Sequence, residues 1–540
     1  METIKDVEAE DPNQIFLVDH AWTFKTEDAR KQLTQVPGLL SRMAALMDLS
    51  DDDEEEEELV ETVLTRMWRY CQTYSIGNAA SVEERQPHWY IMDEFGSRVP
   101  HSDSPSHRMV PFIFSADGLG YSLLFPVSTE SRSAGAQVTR DYVEGAAGDD
   151  SVLRSALLCA WSDTDLTHVS TDQPEPDTQF WQSARETETL PHPDTPVTPL
   201  TSDSPVRVFS EYEFIGANLT DPRFTMTDNM ADADILWLRT HFKQFRELSE
   251  ETPEKRINQF PFENVITIKD MLCAVARRRA ARYLPVTFNL VTELPQFVSY
   301  YQQLKQSEQD THFIIKPWNL ARALDTQVSN NLTHILRLPA SGPKIAQKYL
   351  HNPVLFNREE VGLVKFDIRY IILLTSVSPL KVFAYNRFWL RFANIPFSLD
   401  KLDVYEKHFT VMNYKEDSEL KQMFCHDFIT MFESQYPEQS WDSVQAEIFK
   451  MLRLVFEGAT SVSPPAGIGH CPQAGAMYAT DLMLDWDQDQ QGNKIMVPKL
   501  LEFNWLPDCE RACNYYPEFF NDVFNVLWLN QTEGHNVTEL

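Results

Sequence analysis

The chain has 540 residues, which is too long for one hydrophobic core and predicts two or three domains. It is 43% hydrophobic and 12% aromatic, a composition typical of folded proteins. The formal net charge of −33 argues against general binding to nucleic acid or to an anionic membrane, so we expect neither as a direct partner.

Cysteine usage and the first residues indicate a reducing compartment. The seven cysteines are odd in number and scattered, and no C-x-x-C pair occurs among them. The first residues, METIKDVEAEDPNQ, are acidic and lack the apolar centre of a signal peptide. No apolar run approaches the length that crosses a membrane. We therefore expect a cytoplasmic protein.

The first domain is predicted over residues 1–162. A strand-like IFLV run is followed by a predicted helix over Ala29–Leu49, and an acidic run at residues 51–58 predicts a solvated loop. Helical periodicity resumes over Leu59–Tyr74, and the segments WYIM, PFIF and YSLLFPV predict short strands. The pattern is that of a small α+β domain.

Residues 163–206 differ in composition from what precedes and follows them. They are rich in Asp, Thr, Ser and Pro, as in PHPDTPVTPLTSDSP, which predicts a linker or an extended surface segment. From residue 207 to 540, strand-like runs alternate with helical patterns. This second region is therefore predicted as an α+β or α/β domain.

A central stretch from His312 to Leu374 carries the strongest motifs. Its first piece, HFII, is an apolar, β-branched run that places Lys316 at the end of a strand, before Pro317. Ile345–Leu350 forms a second short segment, whose extension is limited by Pro353.

The piece KFDIRY has the two-residue period of a strand. Lys365, Asp367 and Arg369 share one face, and hydrophobic side chains occupy the other. This arrangement is typical of a strand that lines a polar cleft over a core. The alternative is a half-exposed strand whose charged face meets only solvent.

Three oxygen-bearing side chains follow on later strands. Asp481 ends the AMYATD run, while Glu502 and Asn504 share one face of the KLLEFN strand. Carboxylate and amide oxygens are the hard ligands that Mg²⁺ prefers.

A lysine-bearing strand, a KFDIR strand and an E-x-N strand in this order resemble the tubulin tyrosine ligase-like family of ATP-grasp ligases. The resemblance covers about the last two-thirds of the chain and implies an ATP-grasp domain over residues 207–540. In this family Mg²⁺-ATP phosphorylates a carboxylate, and an amine then displaces phosphate to form an amide bond. The resemblance thus implies ATP and Mg²⁺ as cofactors, tubulin or microtubules as partner, and a cytoskeletal location in the cytoplasm.

The resemblance also assigns roles to matching residues. The residues implied to contact the nucleotide are Lys316, Gln347, Lys348, Tyr349, Leu350, Lys365 and Asp367. The implied Mg²⁺ ligands are Asp481, Glu502 and Asn504. Arg369 and Arg391 would bind the anionic acceptor or the acyl-phosphate, because a guanidinium pairs bidentately with carboxylate and phosphate. Lys269 is a further match to a lysine that touches nucleotide in the family.

Two departures from the family pattern argue against catalysis. The loop after Lys316 reads PWNLARALD, where active members have a glycine-bearing loop that folds over the phosphates. The family element H-L-T-N is H-F-T-V in this chain, so Val411 replaces an asparagine and Asn413 is an uncertain substitute. The sequence therefore leaves open whether the protein is an enzyme.

Two functional hypotheses of different class follow. The first is a tubulin-binding regulator of tubulin tyrosination, detyrosination or polyglutamylation, with a degenerate ligase site. The alternative is an active ATP-dependent amino-acid ligase on tubulin or another acidic protein. The span Phe313–Lys421 carries 15 Lys and Arg against 10 Asp and Glu, so it is positive within a very acidic chain. An acidic protein tail or a nucleotide would suit it under either hypothesis.

The N-terminal domain carries a second resemblance. The segments GSRVPHSDSPSH, GYSLLFPV and GAQVTRDY resemble a worn SET methyltransferase pattern, and a SET-like region also occurs within the ligase family. Pro100 stands where the motif's asparagine contacts the methyl donor, and Ser106 replaces a second asparagine. Proline has neither a side-chain amide nor a backbone N–H, so we expect a degenerate SET-like domain without methyl transfer. A chromatin link or a nuclear location would depend on this region alone.

Overall fold

The structure, a computed structural model, contains two compact units. Unit 1 consists of two separate segments, Met1–Gln173 and Phe288–Tyr349, and unit 2 consists of Pro174–Thr287 and Leu350–Leu540. The structure describes all residues except 1, 9–10, 50–54, 76–85, 115–118, 128–132, 184–186, 194–199, 201–204, 319, 321–322 and 411–422.

Strands occur along most of the chain. They are β1 Phe16–Val18, β2 His20–Phe24, β3 Cys71–Tyr74, β4 His88–Met92, β5 His107–Phe114, β6 Leu119–Pro126, β7 Val206–Ser210, β8 Phe224–Met226, β9 Ile235–Trp237, β10 Arg256–Ile257, β11 Thr287–Asn289, β12 Phe313–Pro317, β13 Gln327–Ser329, β14 Lys344–Lys348, β15 Phe356–Arg358, β16 Gly362–Val364, β17 Phe366–Val377, β18 Leu380–Phe392, β19 Ala476–Gln488, β20 Lys494–Trp505 and β21 Val537–Glu539.

Helices alternate with these strands. They are α1 Ala29–Gln35, α2 Leu39–Leu46, α3 Glu56–Arg66, α4 Ser151–Leu158, α5 Thr178–Gln182, α6 Glu213–Asn218, α7 Phe245–Glu251, α8 Asn264–Thr267, α9 Lys269–Arg279, α10 Leu294–Gln306, α11 Leu332–Arg337, α12 Tyr405–His408, α13 Cys425–Gln435, α14 Trp441–Thr460, α15 Glu510–Tyr515 and α16 Phe519–Leu529.

Unit 1 is held together by a core that both of its segments share. Its strands form sheets of order β1-β6-β5, β2-β4-β3 and β11-β14-β12-β13. Trp68 and Trp89 from the first segment belong to the same buried cluster as Phe297 and Phe313 from the second. The Trp68 ring also stacks on His334, with ring centroids 3.8 Å apart. Residues 288–349 are therefore part of this unit's core, because burial of large aromatic rings is a main source of stability.

Unit 2 contains a parallel sheet of order β10-β9-β7-β8 and an antiparallel sheet of order β20-β19-β17-β18-β21. A third pair, β15-β16, is antiparallel. Helix α16 is apolar and buried on almost every side, and its Phe524 stacks on Trp237 of the parallel sheet at 5.3 Å. The mixture of helices and strands confirms the predicted fold class, and it is consistent with an ATP-grasp-like ligase fold.

The helix predicted over Ala29–Leu49 is two helices in the structure. α1 ends at Gln35, and α2 begins at Leu39 after Gly38, whose φ is 77°. Pro37 lacks the N–H that a continuous helix needs, and glycine adopts positive φ without strain. The prediction of one helix was therefore correct about helical structure but missed this break.

The acidic run and the predicted linker take part in the folded units. Residues 51–54 lie outside the described residues, while Glu56–Glu58 form the first turn of α3, where negative side chains favour the helix dipole. In the predicted linker 163–206, Leu166 joins the core of unit 1 and Trp181 is buried in unit 2. Part of this polar segment is therefore anchored.

The cysteines all lie in described parts of the chain, where each is a buried free thiol. Burial raises the pKa of Cys471 to about 12, so this thiol is neutral and unreactive at neutral pH. Among the described helices, none combines the length and apolar character needed to cross a membrane.

Candidate functional site

Three adjacent antiparallel strands of unit 2 bring the predicted charged residues together. Asp367 on β17 lies opposite Arg391 on β18, and Arg369 on β17 lies opposite Asp481 on β19. Glu502 on β20 in turn lies opposite Asp481. The two-residue period had predicted that Asp367 and Arg369 share a face, and both do lie within strand β17.

The two arginines and two aspartates form a buried ion-pair network. Arg369 donates from Nε and Nη2 to the two carboxylate oxygens of Asp481, at 2.7 and 2.8 Å. Arg391 donates from Nε to Asp367 at 2.8 and 3.0 Å, and its Nη2 lies 2.8 Å from Asp481 Oδ2. The aspartate side chains are only 2% exposed, so these charges satisfy one another away from water.

Electrostatics distinguish the two carboxylates. Burial alone would raise the pKa of Asp481, but the guanidiniums of Arg369 and Arg391 outweigh burial and hold it well below its usual value. Burial raises the pKa of Asp367, because Arg391 is shared and the Asp481 charge opposes a second anion. Asp481 is therefore the firmly ionised member of the pair at neutral pH.

Glu502 and Asn504 form the part of the network that suits a metal ion. Asn504 Nδ2 lies 3.3 Å from Asp481 Oδ2 and 3.4 Å from Glu502 Oε1, and Lys269 Nζ lies 3.2 Å from Glu502 Oε2. Within the described parts of the chain, no cluster of three or more His, Cys, Asp or Glu side chains could hold a metal. The available set is two carboxylates and one amide, and this oxygen chemistry fits Mg²⁺. Because arginines occupy both oxygens of Asp481, Glu502 and Asn504 are the better placed ligands.

The predicted acceptor-binding arginines have partners within the chain. Arg369 and Arg391 were predicted to bind the anionic acceptor or the acyl-phosphate. In the structure they bind the carboxylates of Asp481 and Asp367. Their role toward an acceptor remains a prediction. The sequence held one sign of internal pairing, because Asp367 and Arg369 share a face of the same strand.

In unit 1, Lys316 and Gln347 contact each other on paired strands. Lys316 Nζ donates to Gln347 Oε1 at 2.9 Å, and β12 pairs with β14 in antiparallel register. Both residues are buried. The structure therefore brings together the lysine predicted to reach the phosphates and the first residue of the predicted adenine-binding segment.

The rest of that segment is tied to its own chain. Lys348 forms an ion pair with Asp310 and also donates to His312 O at 3.2 Å. Tyr349 N donates to the same carbonyl at 3.0 Å, and burial raises the pKa of the Tyr349 phenol. Leu350 is buried and is the first residue of the second segment of unit 2. Nucleotide contacts by these residues remain predictions.

Lys365 and Thr410 lie near the start of β17. Lys365 precedes β17 and is buried, with its Nζ 5.5 Å from the centroid of the Phe397 ring. Thr410 donates its hydroxyl to Asp367 Oδ2, a contact that sequence reasoning did not assign. The predicted substitutions at positions 411 and 413 lie outside the described residues.

The SET-like residues have structural partners. His101 Nδ1 accepts a hydrogen bond from Tyr142 N at 3.2 Å, and the Tyr142 hydroxyl donates to Val99 O at 3.0 Å. Ser106 is buried and its Oγ accepts from Thr139 N at 2.8 Å. These bonds join the two halves of the pattern, as expected of residues kept for folding.

The SET-like region and the charged antiparallel sheet are consistent with a ligase-like protein of the ATP-grasp class. The family model described as tubulin-tyrosine ligase family matches residues 247–536, and the model described as tubulin tyrosine ligase SET-like domain matches residues 3–165. This chain belongs to the tubulin-tyrosine ligase family.

Similar proteins extend over nearly the whole chain. Tubulin--tyrosine ligase-like protein 12 of Mus musculus is 50% identical, covering 99% of this chain and 84% of that protein. The Homo sapiens protein of the same name is 49% identical over 98% of this chain and 83% of its own length. A protein named probable tubulin polyglutamylase, from Mus musculus, is 24% identical over 56% of each chain. The resemblance first seen in the strand motifs is confirmed.

Proposed function

We propose that this chain is a tubulin-binding regulator of tubulin modification, with a ligase-like site that has lost catalysis. The modifications concerned are tyrosination, detyrosination or polyglutamylation. The relatives that cover almost the whole chain are named tubulin--tyrosine ligase-like, and a more distant one is named probable tubulin polyglutamylase. These names support tubulin as the partner and a cytoskeletal location in the cytoplasm.

The loop after Lys316 supports the loss of catalysis. β12 ends at Pro317, which pairs with Lys344, and residues 317–325 contain no glycine. Pro317 has no N–H to offer a phosphate, and side chains hinder a close approach of the other amides. Losing one preorganised donor to a developing charge costs about 10²–10³ in kcat, so losing several would remove measurable turnover.

The charged network can still serve a nucleotide. Glu502 and Asn504 would hold Mg²⁺ through oxygen atoms. When bound, Mg²⁺-ATP supplies the phosphoryl group that activates a carboxylate in this class of ligase. The chain itself fixes Arg369 and Arg391 in place, because two buried carboxylates accept their hydrogen bonds. A rigid pair of guanidiniums suits an anionic ligand whether or not chemistry follows.

Arg369 is the residue best placed to meet an acidic tail. Its side chain is 22% exposed, and its Nε and Nη2 donate to Asp481. Among the described residues no acceptor lies within hydrogen-bond distance of its Nη1. A charge-assisted hydrogen bond from this group to a substrate carboxylate would contribute roughly 1.5–3 kcal/mol.

The decisive experiment measures ATP-dependent incorporation of labelled Tyr, Glu or Gly into tubulin by the purified chain. We expect no incorporation above a reaction without ATP. In the same assay, the chain should lower modification of tubulin by an active ligase, and salt should weaken that inhibition because exposed charges are screened. Incorporation by the chain itself would contradict the proposal.

A variant links the inhibition to the site. Arg369→Glu would place another carboxylate beside Asp481 and so threaten the fold. Arg369→Lys keeps the positive charge but loses the planar pair of N–H donors of the guanidinium. It should therefore weaken inhibition, while the melting temperature changes little. Arg246→Lys, on the exposed side of α7, is the matched control and should inhibit like the parent.

An active ligase is the second candidate. It is favoured by one observation, the connected network that joins both arginines and the three predicted metal ligands of the family pattern in unit 2. The incorporation assay separates the two functions directly. Under this second candidate, Glu502→Gln would abolish incorporation.

A further inference from the structure

Arg140 is a buried guanidinium that lacks an acidic partner. It lies in unit 1, is 8% exposed, and its backbone is held by hydrogen bonds to Pro100 and Ser102. Its Cζ lies 4.6 Å from the centroid of the Tyr142 ring, and its buried Nε has no hydrogen-bond partner. Across the described residues, no carboxylate or carbonyl accepts from this side chain. Arginine carries five N–H donors, so the lack of any acceptor is unusual.

A second buried guanidinium lies close to it in the same unit. Arg337, the last residue of α11, is also 8% exposed and donates from Nη2 to Cys71 O at 2.6 Å. Its Cζ lies 4.7 Å from the centroid of the Trp161 ring, and its Nε is buried without a partner. The rings of Trp161 and Tyr142 are themselves 4.9 Å apart. The two rings, tilted by 52° to each other, thus carry one guanidinium each.

The groups around these arginines supply no negative charge. Burial raises the pKa of the Cys71 thiol and of the Tyr90 and Tyr142 phenols, so all three are neutral near pH 7. Burial, and to a smaller extent the charge of Arg140, lower the pKa of Arg337 to about 10, which leaves it cationic. Two positive charges therefore share an interior environment in which the described residues supply no anion.

Two acids of the same unit, Asp141 and Asp103, are paired with another arginine. Asp141 follows Arg140 in the chain, but Arg154 donates to both of its carboxylate oxygens, at 2.9 and 3.1 Å. Asp103 also accepts from Arg154, at 2.6 Å. Arg154, whose side chain is partly buried, thus receives two carboxylates, while two more deeply buried arginines receive none. An uncompensated buried charge is costly, so an arrangement that keeps two of them points to a missing anion.

We propose that Arg140 and Arg337 form a binding site in unit 1 for a small molecule that carries a phosphate group. Two guanidiniums match the charge of a phosphate dianion, and each offers the planar fork that pairs with its oxygens. Each aromatic ring holds one guanidinium by a cation–π contact. The N–H groups at the edge of that guanidinium are left for the ligand. Because each arginine is almost fully buried, the ligand must be small. The site is separate from Glu502 and Asn504, which belong to unit 2.

The test measures thermal unfolding of the full chain with inorganic phosphate, at constant ionic strength and with chelator instead of Mg²⁺. A ligand that binds only the folded state raises the melting temperature. We expect phosphate to stabilise the parent, and Arg140→Gln and Arg337→Gln to lose that shift. Titration calorimetry should show at least a tenfold weaker Kd for phosphate in either variant. Arg98→Gln, at an exposed position of the same unit, should respond like the parent.

The melting temperature measured without phosphate shows whether a variant has lost the site or has failed to fold. Arg140→Gln removes an uncompensated charge, so without phosphate it should melt no lower than the parent. Absence of a phosphate shift in the parent would overturn the proposal. An equal shift in the parent and in Arg140→Gln would overturn it too, and so would a shift that is lost only in Glu502→Gln, because the anion would then bind in unit 2.

A second ligand, adenosine monophosphate, distinguishes a phosphomonoester from free phosphate as the natural ligand. Adenosine monophosphate that binds more tightly than inorganic phosphate, and only when Arg140 is present, would support a phosphomonoester as the ligand. Equal affinities would support free phosphate.

Discussion

A single carboxylate, Asp481, orders the charged strands of unit 2. It accepts hydrogen bonds from Arg369 and lies within ion-pair distance of Arg391, so three strands are joined through one side chain. Buried ion pairs add little net stability, but removing one partner is expensive because the other charge stays buried. The network is therefore better understood as a constraint on geometry than as a source of stability.

Mg²⁺-ATP binding is predicted to depend on Glu502. Ligand at a hundredfold excess over Kd stabilises the folded state by about 2.7 kcal/mol, which is measurable as a higher melting temperature. We expect that shift in the parent and its loss in Glu502→Gln. Glu438→Gln, at an exposed position, is the control and should retain the shift. Equal shifts in all three proteins would show that the metal assignment is wrong.

Glu263 provides a prediction on pH. It is buried and accepts from Tyr478 Oη at 2.6 Å and from Phe260 N at 2.9 Å, and burial raises its pKa to about 8. The unfolded chain releases this proton near pH 4.5, whereas the folded chain keeps it to about pH 8. Between these values unfolding releases a proton, so the free energy of unfolding falls as pH rises.

The variant Glu263→Gln removes this titration. The free energy of unfolding of the variant minus that of the parent should increase from pH 5 to pH 8, by roughly 1 kcal/mol per pH unit. Urea unfolding of both proteins at a series of pH values measures the difference. A difference that is constant over this range would mean that Glu263 is already ionised in the folded protein.

At the scale of elements, the contact between α9 and α14 depends on a glycine. A Cβ built at Gly458 would lie 2.8 Å from Val275 O, whereas one built at Gly216 in α6 would meet nothing within 4 Å. Alanine favours helix over glycine by about 1 kcal/mol at either position. We expect Gly216→Ala to stabilise by up to this amount, and Gly458→Ala to destabilise by about 1–3 kcal/mol through overpacking.

Urea unfolding of these two variants tests that prediction directly. Opposite signs would support the close approach of the helices. Stabilisation of the chain by both substitutions would show that α9 and α14 can separate without cost.

The strands of the candidate site were predictable, but the partners of their side chains were not. The alternation in KFDIRY predicted a face shared by Asp367 and Arg369, because strand periodicity is local. Which residues meet across strands depends on register, which is set by long-range pairing of β17 with β18 and β19. The pairing of Arg391 with Asp367 could therefore not be assigned from the sequence alone.

At the scale of the whole molecule, the makeup of unit 1 was beyond sequence reasoning. The interrupted chain, with Met1–Gln173 and Phe288–Tyr349 in one unit, leaves no local signal, because hydrophobic periodicity does not say which apolar faces meet. The same limit hid the proximity of Arg140 and Arg337. What composition did predict was two or more domains and the change of character in the segment between residues 163 and 206.

The shared core predicts how fragments behave. Residues 1–173 alone would expose the surface that buries Phe297 and Phe313 in the intact unit, so we expect poorly dispersed amide NMR signals and early melting. Joining residues 288–349 to this fragment through a short flexible linker should restore a cooperative transition. A well-folded 1–173 fragment would contradict the prediction.

The interrupted unit also sets an order of events during synthesis. Residues 1–173 leave the ribosome first, yet their core is completed only after residues 174–349 have been made. At about 5–20 residues per second, that interval lasts roughly ten to thirty seconds. Throughout it, the nascent chain presents unpaired apolar surface at the ribosome, a situation in which chaperones normally act. Translation speed across residues 174–287 is thus a physical variable in the yield of folded protein.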